Sequence, residues 1–274
     1  MKRLISAIFL ITMISGIAFA SQQNVTATTS NTDPVIEKLR VSTNLLAPGV
    51  TQQINITVKD VNGADTVKSA NLKIWHSTNK TEGASDSWDH YTLANGTWET
   101  VININSTTKK YVFTQPVSKH ALNGTYTVKA YTEDEQGAVD SNLSSFDVST
   151  RTGIILDTLS LTVSGRAGDI NSPFNQNPQN ITHDGNIDQE IYINGTNLAG
   201  PENIAVNNIT YSHNATVDLH KLTGTETKVS EVSPLSRGVY PNPAVEKIYY
   251  WLDYPVGIKP GSYTGTIRMN VQAA

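Results

Sequence analysis

The feature that most constrains this fold is a strict alternation of apolar and polar side chains in short runs. In residues 52–60, QQINITVKD, the side chains of Ile54, Ile56 and Val58 fall on one side and polar side chains fall on the other. Successive side chains of a β-strand point to opposite faces, so this pattern predicts a strand with one buried face. The predicted strands are 52–60, 69–76, 98–105, 124–134, 143–149, 155–165, 189–195, 204–212, 247–255 and 261–272.

Turn-forming sequences separate these strands at short intervals, among them DVNGAD, LANGTW, ALNGTY and TEDEQGAVD. Short alternating strands with Gly and Asn turns about every 8 to 12 residues predict antiparallel β-sandwiches. We therefore expect an all-β chain with two tandem antiparallel β-sandwich (Ig-like) domains at 33–150 and 151–274, the second interrupted by a polar loop at 166–188. The predicted core side chains include Leu72, Ile74, Trp98, Ile102, Ile104, Tyr126, Val128, Ala130, Phe146 and Val148.

The first twenty residues have the composition of an export signal. Two cationic residues precede an apolar stretch that ends in the triplet Ala18-Phe19-Ala20. A cationic start, a short apolar core and a small-x-small end are typical of a secretory signal peptide. The apolar stretch is shorter than the roughly 20 residues of a membrane span. We therefore expect a signal peptide at 1–20, export to the cell surface, no transmembrane segment in the mature chain, and a flexible leader at 21–32.

Charge and cysteine content exclude several classes of function. Removing residues 1–20 takes two of the 20 cationic residues and none of the 24 acidic ones, which leaves a formal charge of −6. Nucleic-acid binding needs clustered cations, and the chain has no cationic cluster, so we expect no nucleic-acid partner. Because the chain has no cysteine, it has no disulfides, thiol nucleophiles or cysteine metal sites.

The acceptor sequence for N-linked sugar, Asn-x-Ser/Thr, occurs about twice as often as the roughly five times that composition predicts. An attached sugar must face water, and Asn55 and Asn105 fall on the polar side of their strands. Asn95, Asn123 and Asn194 each begin Asn-Gly-Thr, which predicts a turn tip. The alternative is that an Asn-rich and Thr-rich β protein forms such sequences by accident. The predicted glycosylation sites are Asn24, Asn55, Asn79, Asn95, Asn105, Asn123, Asn142, Asn180, Asn194, Asn208 and Asn214.

One acidic loop has part of the pattern of a calcium site. Asp184, Asn186 and Asp188 follow the Asp-x-Asn-x-Asp spacing, and calcium prefers several oxygen ligands at short range. The loop lacks the glycine and the distal acid of a complete calcium motif. Two other acidic loops, at 60–65 and 134–140, are further calcium candidates. The alternative for all three is a plain turn, because acidic residues beside glycine are ordinary turn formers. Calcium is the only cofactor that the sequence suggests.

No pattern of catalytic residues stands out. The six histidines do not have the spacing of a zinc site, and the nucleophile elbow GxSxG does not occur. A pair of carboxylates for glycoside hydrolysis would meet only in space, and nothing in the sequence singles out such a pair. We therefore expect a protein that is not an enzyme.

The segment IYYWLDY, residues 248–254, offers a different kind of site. Alternation places Tyr249 and Trp251 on the face opposite Ile248 and Tyr250. An exposed Tyr and Trp pair could stack on sugar rings, which would make this strand part of a carbohydrate-binding module. The alternative is a strand covered on both faces, which the continuous apolar sequence favours.

Three stretches carry a resemblance to known proteins. INITVKDVNGADTVKSANLKIW and NGTYTVKAYTEDEQGAVDSNLSSFDV resemble the immunoglobulin-like modules of exported archaeal surface proteins, especially those of methanogens. YYWLDYPVGIKPGSYTGTIRMNV resembles the closing hairpin of β-sandwich domains in the same group. The resemblance implies a structural or adhesive, non-catalytic role in the cell envelope, either associated with the surface layer or fibre-forming.

The expected partners are envelope proteins or polysaccharide. Self-association through strand addition is a specific form of this prediction. Residues 21–32 contain the Thr-rich stretch NVTATT and could add as a strand to the open sheet edge of a neighbouring copy.

Overall fold

The computed structural model describes residues 26, 28–83, 88–93, 100–215 and 219–274. Met1–Asn31 form one unit and Thr32–Ala274 form a second, compact unit. The described residues of the first unit are exposed and have no helix or strand. Among the described residues of the whole chain, no helix is long and apolar enough to cross a membrane.

The first half of the compact unit consists of two sheets, which together we call the first sandwich. A four-stranded sheet has the order β1-β3-β7-β6, and a five-stranded sheet has the order β2-β9-β8-β4-β5. Neighbouring strands are antiparallel except β2 and β9. A single 3₁₀ turn, Ala64–Thr66, precedes β4. The strands are β1 Val35–Val41, β2 Leu45–Leu46, β3 Thr51–Lys59, β4 Val67–His76, β5 His90–Leu93, β6 Thr100–Asn105, β7 Thr108–Pro116, β8 Gly124–Asp134 and β9 Val139–Val148.

The two sheets of the first sandwich enclose one apolar core. Ile54 and Ile56 of β3 face Leu72 of β4 and Tyr126 of β8 in a single cluster, and all four side chains are fully buried. Residues between them on the same strands are exposed or half-buried. The alternation predicted from the sequence is therefore confirmed in β3, β4 and β8, because each of these strands has one dry face.

The second half of the unit, the second sandwich, again has two main sheets around one core. The larger sheet has the order β10-β12-β21-β16-β17, with β11 paired to β21, and the smaller has the order β18-β13-β22. The strands are β10 Ile154–Leu156, β11 Ser172–Pro173, β12 Gln179–His183, β13 Gln189–Gly195, β14 Leu198–Ala199, β15 Asn203–Ile204, β16 Ile209–Ser212, β17 His220–Lys221, β18 Thr227–Lys228, β19 Gly238–Val239, β20 Asn242–Pro243, β21 Val245–Leu252 and β22 Ile267–Ala273.

The second core joins Ile181 and Ile248 of the larger sheet to Ile191 and Ile193 of the smaller sheet. The all-β class is confirmed, with two 3₁₀ turns in this half, Val206–Asn208 and Ser230–Val232. The two apolar clusters share no residue, yet Thr32–Ala274 is one compact unit. A domain boundary at 150/151 therefore stays a prediction.

Strand β6 differs from the prediction. All six of its residues are exposed, and Ile102 and Ile104, which were predicted to face the core, are 43% and 53% exposed. Among the described residues the strand pairs only with β7, at the edge of its sheet, and its exposed side chains show that neither face is covered. Trp98 lies outside the described residues. Alternation alone therefore identified a strand here but assigned the wrong burial.

Two other predicted strands are shorter than the alternation suggested. The strand predicted at 155–165 ends at Leu156, because residues 157–165 have no neighbouring strand to pair with. The strand predicted at 261–272 begins only at Ile267. The segment 166–188, predicted to be one long loop, contains the two strands β11 and β12.

Two isoleucines test the difference between a covered and an uncovered strand face. Ile56→Ala in β3 removes a fully buried side chain and should lower the free energy of unfolding by about 2 to 5 kcal/mol. Ile104→Ala in β6 should change it by less than about 0.5 kcal/mol. Urea unfolding followed by tryptophan fluorescence measures both. Equal losses for the two variants would show that β6 is covered.

Candidate functional site

Of the predicted glycosylation sites that the structure describes, five are exposed and four are half-buried. Nine of the eleven acceptor asparagines are described, and none of the nine is buried. Asn24 and Asn95 lie outside the described residues. The exposed acceptors are Asn79, Asn105, Asn123, Asn142 and Asn214, and the half-buried ones are Asn55, Asn180, Asn194 and Asn208. Their occupancy by sugar stays a prediction.

The turn-tip prediction is wrong for Asn194 and fits Asn123 better. Asn194 lies inside β13, opposite Arg268 of β22, and its Oδ1 atom is buried. Asn123 is an exposed bend directly before β8. Gly124 has a φ angle of 116°, which side chains other than glycine rarely adopt, and a Cβ there would lie 3.0 Å from Nε2 of His76. In Asn-Gly-Thr at 123–125 the glycine is therefore needed for the backbone, whereas Gly195 is the last residue of β13 and a Cβ there would lie 2.6 Å from Cδ2 of Leu222.

Three acceptor side chains already donate hydrogen bonds through the nitrogen that would carry the sugar. Nδ2 of Asn142 donates to the carbonyl oxygen of Ile36 at 3.4 Å, and Nδ2 of Asn180 donates to the carboxylate of Asp157. Nδ2 of Asn123 lies 3.4 Å from Oγ1 of Thr150. Attachment of a sugar leaves one N–H on each amide, so each site can keep at most one such bond.

The loop suggested as a calcium site connects the two sandwiches. The carboxylate of Asp184 accepts hydrogen bonds from Lys119 of the first sandwich and from Arg151 just after it, the latter at 2.7 Å. Burial acts to raise the pKa of Asp184, but these two cationic hydrogen bonds outweigh burial and hold the pKa below its ordinary value. Asp188, which is exposed, accepts a hydrogen bond from the backbone N–H of Arg237.

Asn186 is the fully buried member of this loop. Its Nδ2 donates to the carbonyl oxygens of Ala121 and Ser149 at 2.8 and 2.9 Å, and its Oδ1 accepts from the backbone N–H of Arg151. The three calcium candidates thus each bond to different protein groups. Among the described residues no cluster of three or more His, Cys, Asp or Glu side chains could hold a metal ion. Calcium binding by this loop stays a prediction.

The backbone of Gly185, in the same loop, is hydrogen-bonded to two histidines, His120 and His183. Nδ1–H of His120, from the first sandwich, donates to the carbonyl oxygen of Gly185 at 2.9 Å. The N–H of Gly185 donates to Nδ1 of His183 at 3.2 Å, so that nitrogen carries no proton. Burial lowers the pKa of both imidazoles below the ordinary value of 6.5. Both rings are therefore held neutral at the joint between the sandwiches.

A buried ion pair completes this joint. The carboxylate of Asp89 is fully buried and receives two hydrogen bonds from the guanidinium of Arg237, at 2.9 and 2.7 Å. It also accepts hydrogen bonds from the backbone N–H of Leu122 and the hydroxyl of Tyr126. The guanidinium lies 5.3 Å from the ring centre of Trp88. Four donors therefore compensate the cost of burying this charge.

The aromatic pair considered for sugar binding is mostly covered. The rings of Tyr249 and Trp251 stack with their centres 6.1 Å apart. Strand β21 is central in its sheet, with β11 beside Trp251 on one side and β16 on the other. Trp251 is 9% exposed, so little of the indole face is open to a sugar ring. The geometry favours packing, the alternative that the continuous apolar sequence also favoured.

Strand β6 is an open edge of the first sandwich. Its sequence, TVININ, contains no charged residue and no proline, the residue types that usually protect an exposed edge from pairing with another chain. Its outer backbone N–H and C=O groups form a template for one more strand.

Comparisons with known proteins leave the family open. No family model and no curated protein matches the sequence. A DUF4785 family protein from Legionella pneumophila is 7% identical, with 86% of this chain and 47% of that chain covered and a TM-score of 0.28. Latent PorU from Porphyromonas gingivalis is 13% identical, with 92% and 21% covered and a TM-score of 0.31.

A third solved structure is a carbohydrate-binding module from the β-sandwich superfamily. It is 12% identical, with 89% of this chain and 98% of that chain covered and a TM-score of 0.29. The chain spans less than half the length of the Legionella and Porphyromonas proteins. At this level of similarity no function can be transferred from any of the three.

Removing the cation of the buried pair should be costly. Arg237→Leu leaves the fully buried carboxylate of Asp89 without its counter-charge and should lower the free energy of unfolding by about 3 to 5 kcal/mol. The control is Lys68→Leu, which breaks the exposed ion pair with Glu133 and should have a far smaller effect. Chemical unfolding measures both variants. A small loss for Arg237→Leu would mean that water reaches Asp89.

Stability should fall as the pH drops below about 6.5. Because burial lowers the pKa of His120 and His183, the unfolded chain binds more protons than the folded chain at mildly acidic pH. Protonation would also place positive charge beside Lys119 and Arg237, which the acids Asp184 and Asp188 offset only in part. Urea midpoints at pH 7.5 and 5.5 measure the loss. The double variant His120→Gln, His183→Gln should show a smaller difference, and an unchanged difference would contradict this origin.

Proposed function

We propose that this chain is an exported, N-glycosylated protein of the cell envelope with a structural or adhesive role and no catalytic activity. The observation that carries the proposal is the position of the nine described acceptor asparagines, none of which is buried although several lie in strands. At the five exposed positions a sugar can be attached without opening a core. The polar strand faces would carry sugar while the apolar faces close each sandwich.

Self-association through strand addition forms the second part of the proposal. The uncharged edge of β6 supports it, since an added strand would satisfy backbone groups that now face water. The resemblance of the sequence to archaeal surface modules supports a location outside the cell, in association with a surface layer or in a fibre. Envelope proteins or polysaccharide are the proposed partners, and no cofactor is part of the proposal.

Sugar binding through Tyr249 and Trp251 is the weaker alternative. The 9% exposure of Trp251 leaves it without supporting geometry. A tryptophan fluorescence titration with cell-wall polysaccharides separates the two functions, because stacking of a sugar on Trp251 would change its emission.

Intact mass of the native exported protein tests export and glycosylation together. We expect the mass of residues 21–274 plus several equal increments of one glycan. Asn123→Gln should remove one increment, because Asn123 is exposed. The matched control is Asn44→Gln, an exposed asparagine outside any acceptor sequence, which should remove none. A native mass without any increment would contradict glycosylation.

Deletion of residues 21–32 tests self-association. Light scattering should detect oligomers of the chain 21–274 and only monomers of the chain 33–274. As a control for chain length, replacing residues 21–32 by a Gly/Ser sequence of equal length should also give monomers, since such a sequence has little tendency to form a strand. Unchanged assembly after the deletion would reject the leader as the connecting segment.

A further inference from the structure

The second sandwich is open along one side. A groove of about 810 Å³ lies between residues 156–165 on one lip and 261–269 on the other. Its floor contains Phe174, Ile209 and Leu252, which belong to or border the second core. The two sheets of this sandwich therefore do not close over their core at this edge.

One lip of the groove ends in the open edge of β22, and the opposite lip belongs to no sheet. Strand β22 is the last strand of the smaller sheet, and among the described residues it pairs only with β13. The opposite lip has the alternation of a strand, with Leu159, Leu161 and Val163 in phase, but it belongs to no sheet. Leu159 is 89% exposed. One strand placed between the lips would therefore meet apolar side chains of both lips and the open edge of β22. On the opposite lip the backbone of Thr162 is already bonded, through its N–H to Gln176 and through its C=O to the N–H of Asn175.

The lining of the groove restricts the chemistry of its occupant. None of the lining side chains is charged, and the polar ones are Ser, Thr, Gln and Tyr. An acyl chain could fill such a volume, but it would cover the backbone N–H and C=O groups of β22 without satisfying them. An uncharged, extended peptide satisfies those groups and fills the groove with alternate side chains.

The size of the groove fits a short strand. One residue of a strand between two sheets takes up about 160 Å³. This is the product of a rise of about 3.3 Å, a strand spacing of about 4.8 Å and a sheet spacing of about 10 Å. A groove of about 810 Å³ is therefore large enough to take part of an added strand.

The geometry points to the leader of a second copy as the occupant. Residues 21–31, SQQNVTATTSN, contain no charge, and their stretch Val25-Thr26-Ala27-Thr28-Thr29 alternates two apolar residues with threonine, a residue favoured in strands. Eleven residues are enough to supply a short added strand and a few residues of connection. This inference rests on the proposed self-association and assigns its acceptor to the groove of the second sandwich.

The groove is a better acceptor than the open edge of β6. Both faces of β6 are exposed to water, so a strand added there would gain backbone hydrogen bonds but little burial. In the groove, the added side chains would contact Leu161, Ile267 and Met269, all of them now only half-buried. Burial of apolar surface is the larger favourable contribution.

The absence of cysteine in the natural chain allows a direct test by disulfide cross-linking. Thr28→Cys in full-length mature protein is mixed with Thr266→Cys, an exposed position on the lip of the groove. The control partner is Asn103→Cys, an exposed position on β6. We expect the Thr28–Thr266 dimer to form at least tenfold faster than the Thr28–Asn103 dimer, because disulfides need Cα atoms within about 7 Å.

A second variant ties the cross-link to the groove itself. Leu161→Arg places a charge among the apolar lining and should abolish the Thr28–Thr266 dimer while circular dichroism and the melting temperature stay close to those of the parent. If that variant fails to fold, Ser164→Arg on the exposed lip serves the same purpose. A dimer that persists in a folded groove variant would overturn the assignment.

The remaining outcomes separate this inference from the proposed function. A faster Thr28–Asn103 dimer would overturn the groove as acceptor but keep strand addition, at β6. No cross-link together with no assembly of the wild-type chain in light scattering would overturn both. A fluorescent fatty acid tests the acyl alternative. If it binds saturably, if Leu161→Arg blocks that binding, and if no Thr28–Thr266 dimer forms, the groove holds an acyl chain and the proposal is overturned.

Discussion

Every part of this fold depends on one property of the pleated strand, which is that successive side chains point to opposite faces, so that one covering sheet keeps only every second side chain away from water. Ile54, Ile56 and Val58 of β3 are dry because a second sheet lies opposite them, and the same holds for Ile191 and Ile193 of β13. Where no second sheet lies opposite, as along β6, the same alternation leaves isoleucines in water. The groove of the second sandwich is the intermediate case, since its lips have the pattern of strands but only part of a cover.

The sequence predicted the elements whose neighbours lie close along the chain and failed where burial depends on distant partners. Strand β8 was predicted with its observed bounds because its alternation is long and its turns carry Gly and Asn. Alternation cannot tell which sheet edge stays uncovered, so it assigned Ile102 and Ile104 to the core. It also extended β10 to residue 165, since a pattern of side chains contains no information on whether a hydrogen-bonding neighbour exists.

The candidate site shows the same limit more sharply. Whether an acceptor asparagine falls on the polar side of its strand can be read from the alternation of neighbouring residues, so its side of the strand could be predicted. The joint of the sandwiches could not, because Asp89 and Arg237 are 148 residues apart and neither stands in a recognisable motif. The loop at 184–188 was noticed for its oxygens as a calcium candidate. In the structure Asn186 uses its amide nitrogen to bond the carbonyl oxygen of Ala121 and its amide oxygen to bond the backbone N–H of Arg151, a role that no spacing rule indicates.

The buried ion pair has a mechanical consequence if copies are linked end to end. In such an array the leader precedes the first sandwich of one copy along the chain, and the acceptor groove lies in the second sandwich of the next. A pulling force must therefore cross the joint in every copy. The hydrogen bonds between Asp89 and Arg237 are short, so a small displacement of one sandwich from the other breaks them. The ion pair therefore resists the pulling force strongly at first and then gives way abruptly. The ladders of β8 with β4 and β9, loaded along their length, would instead yield only when many hydrogen bonds break at once.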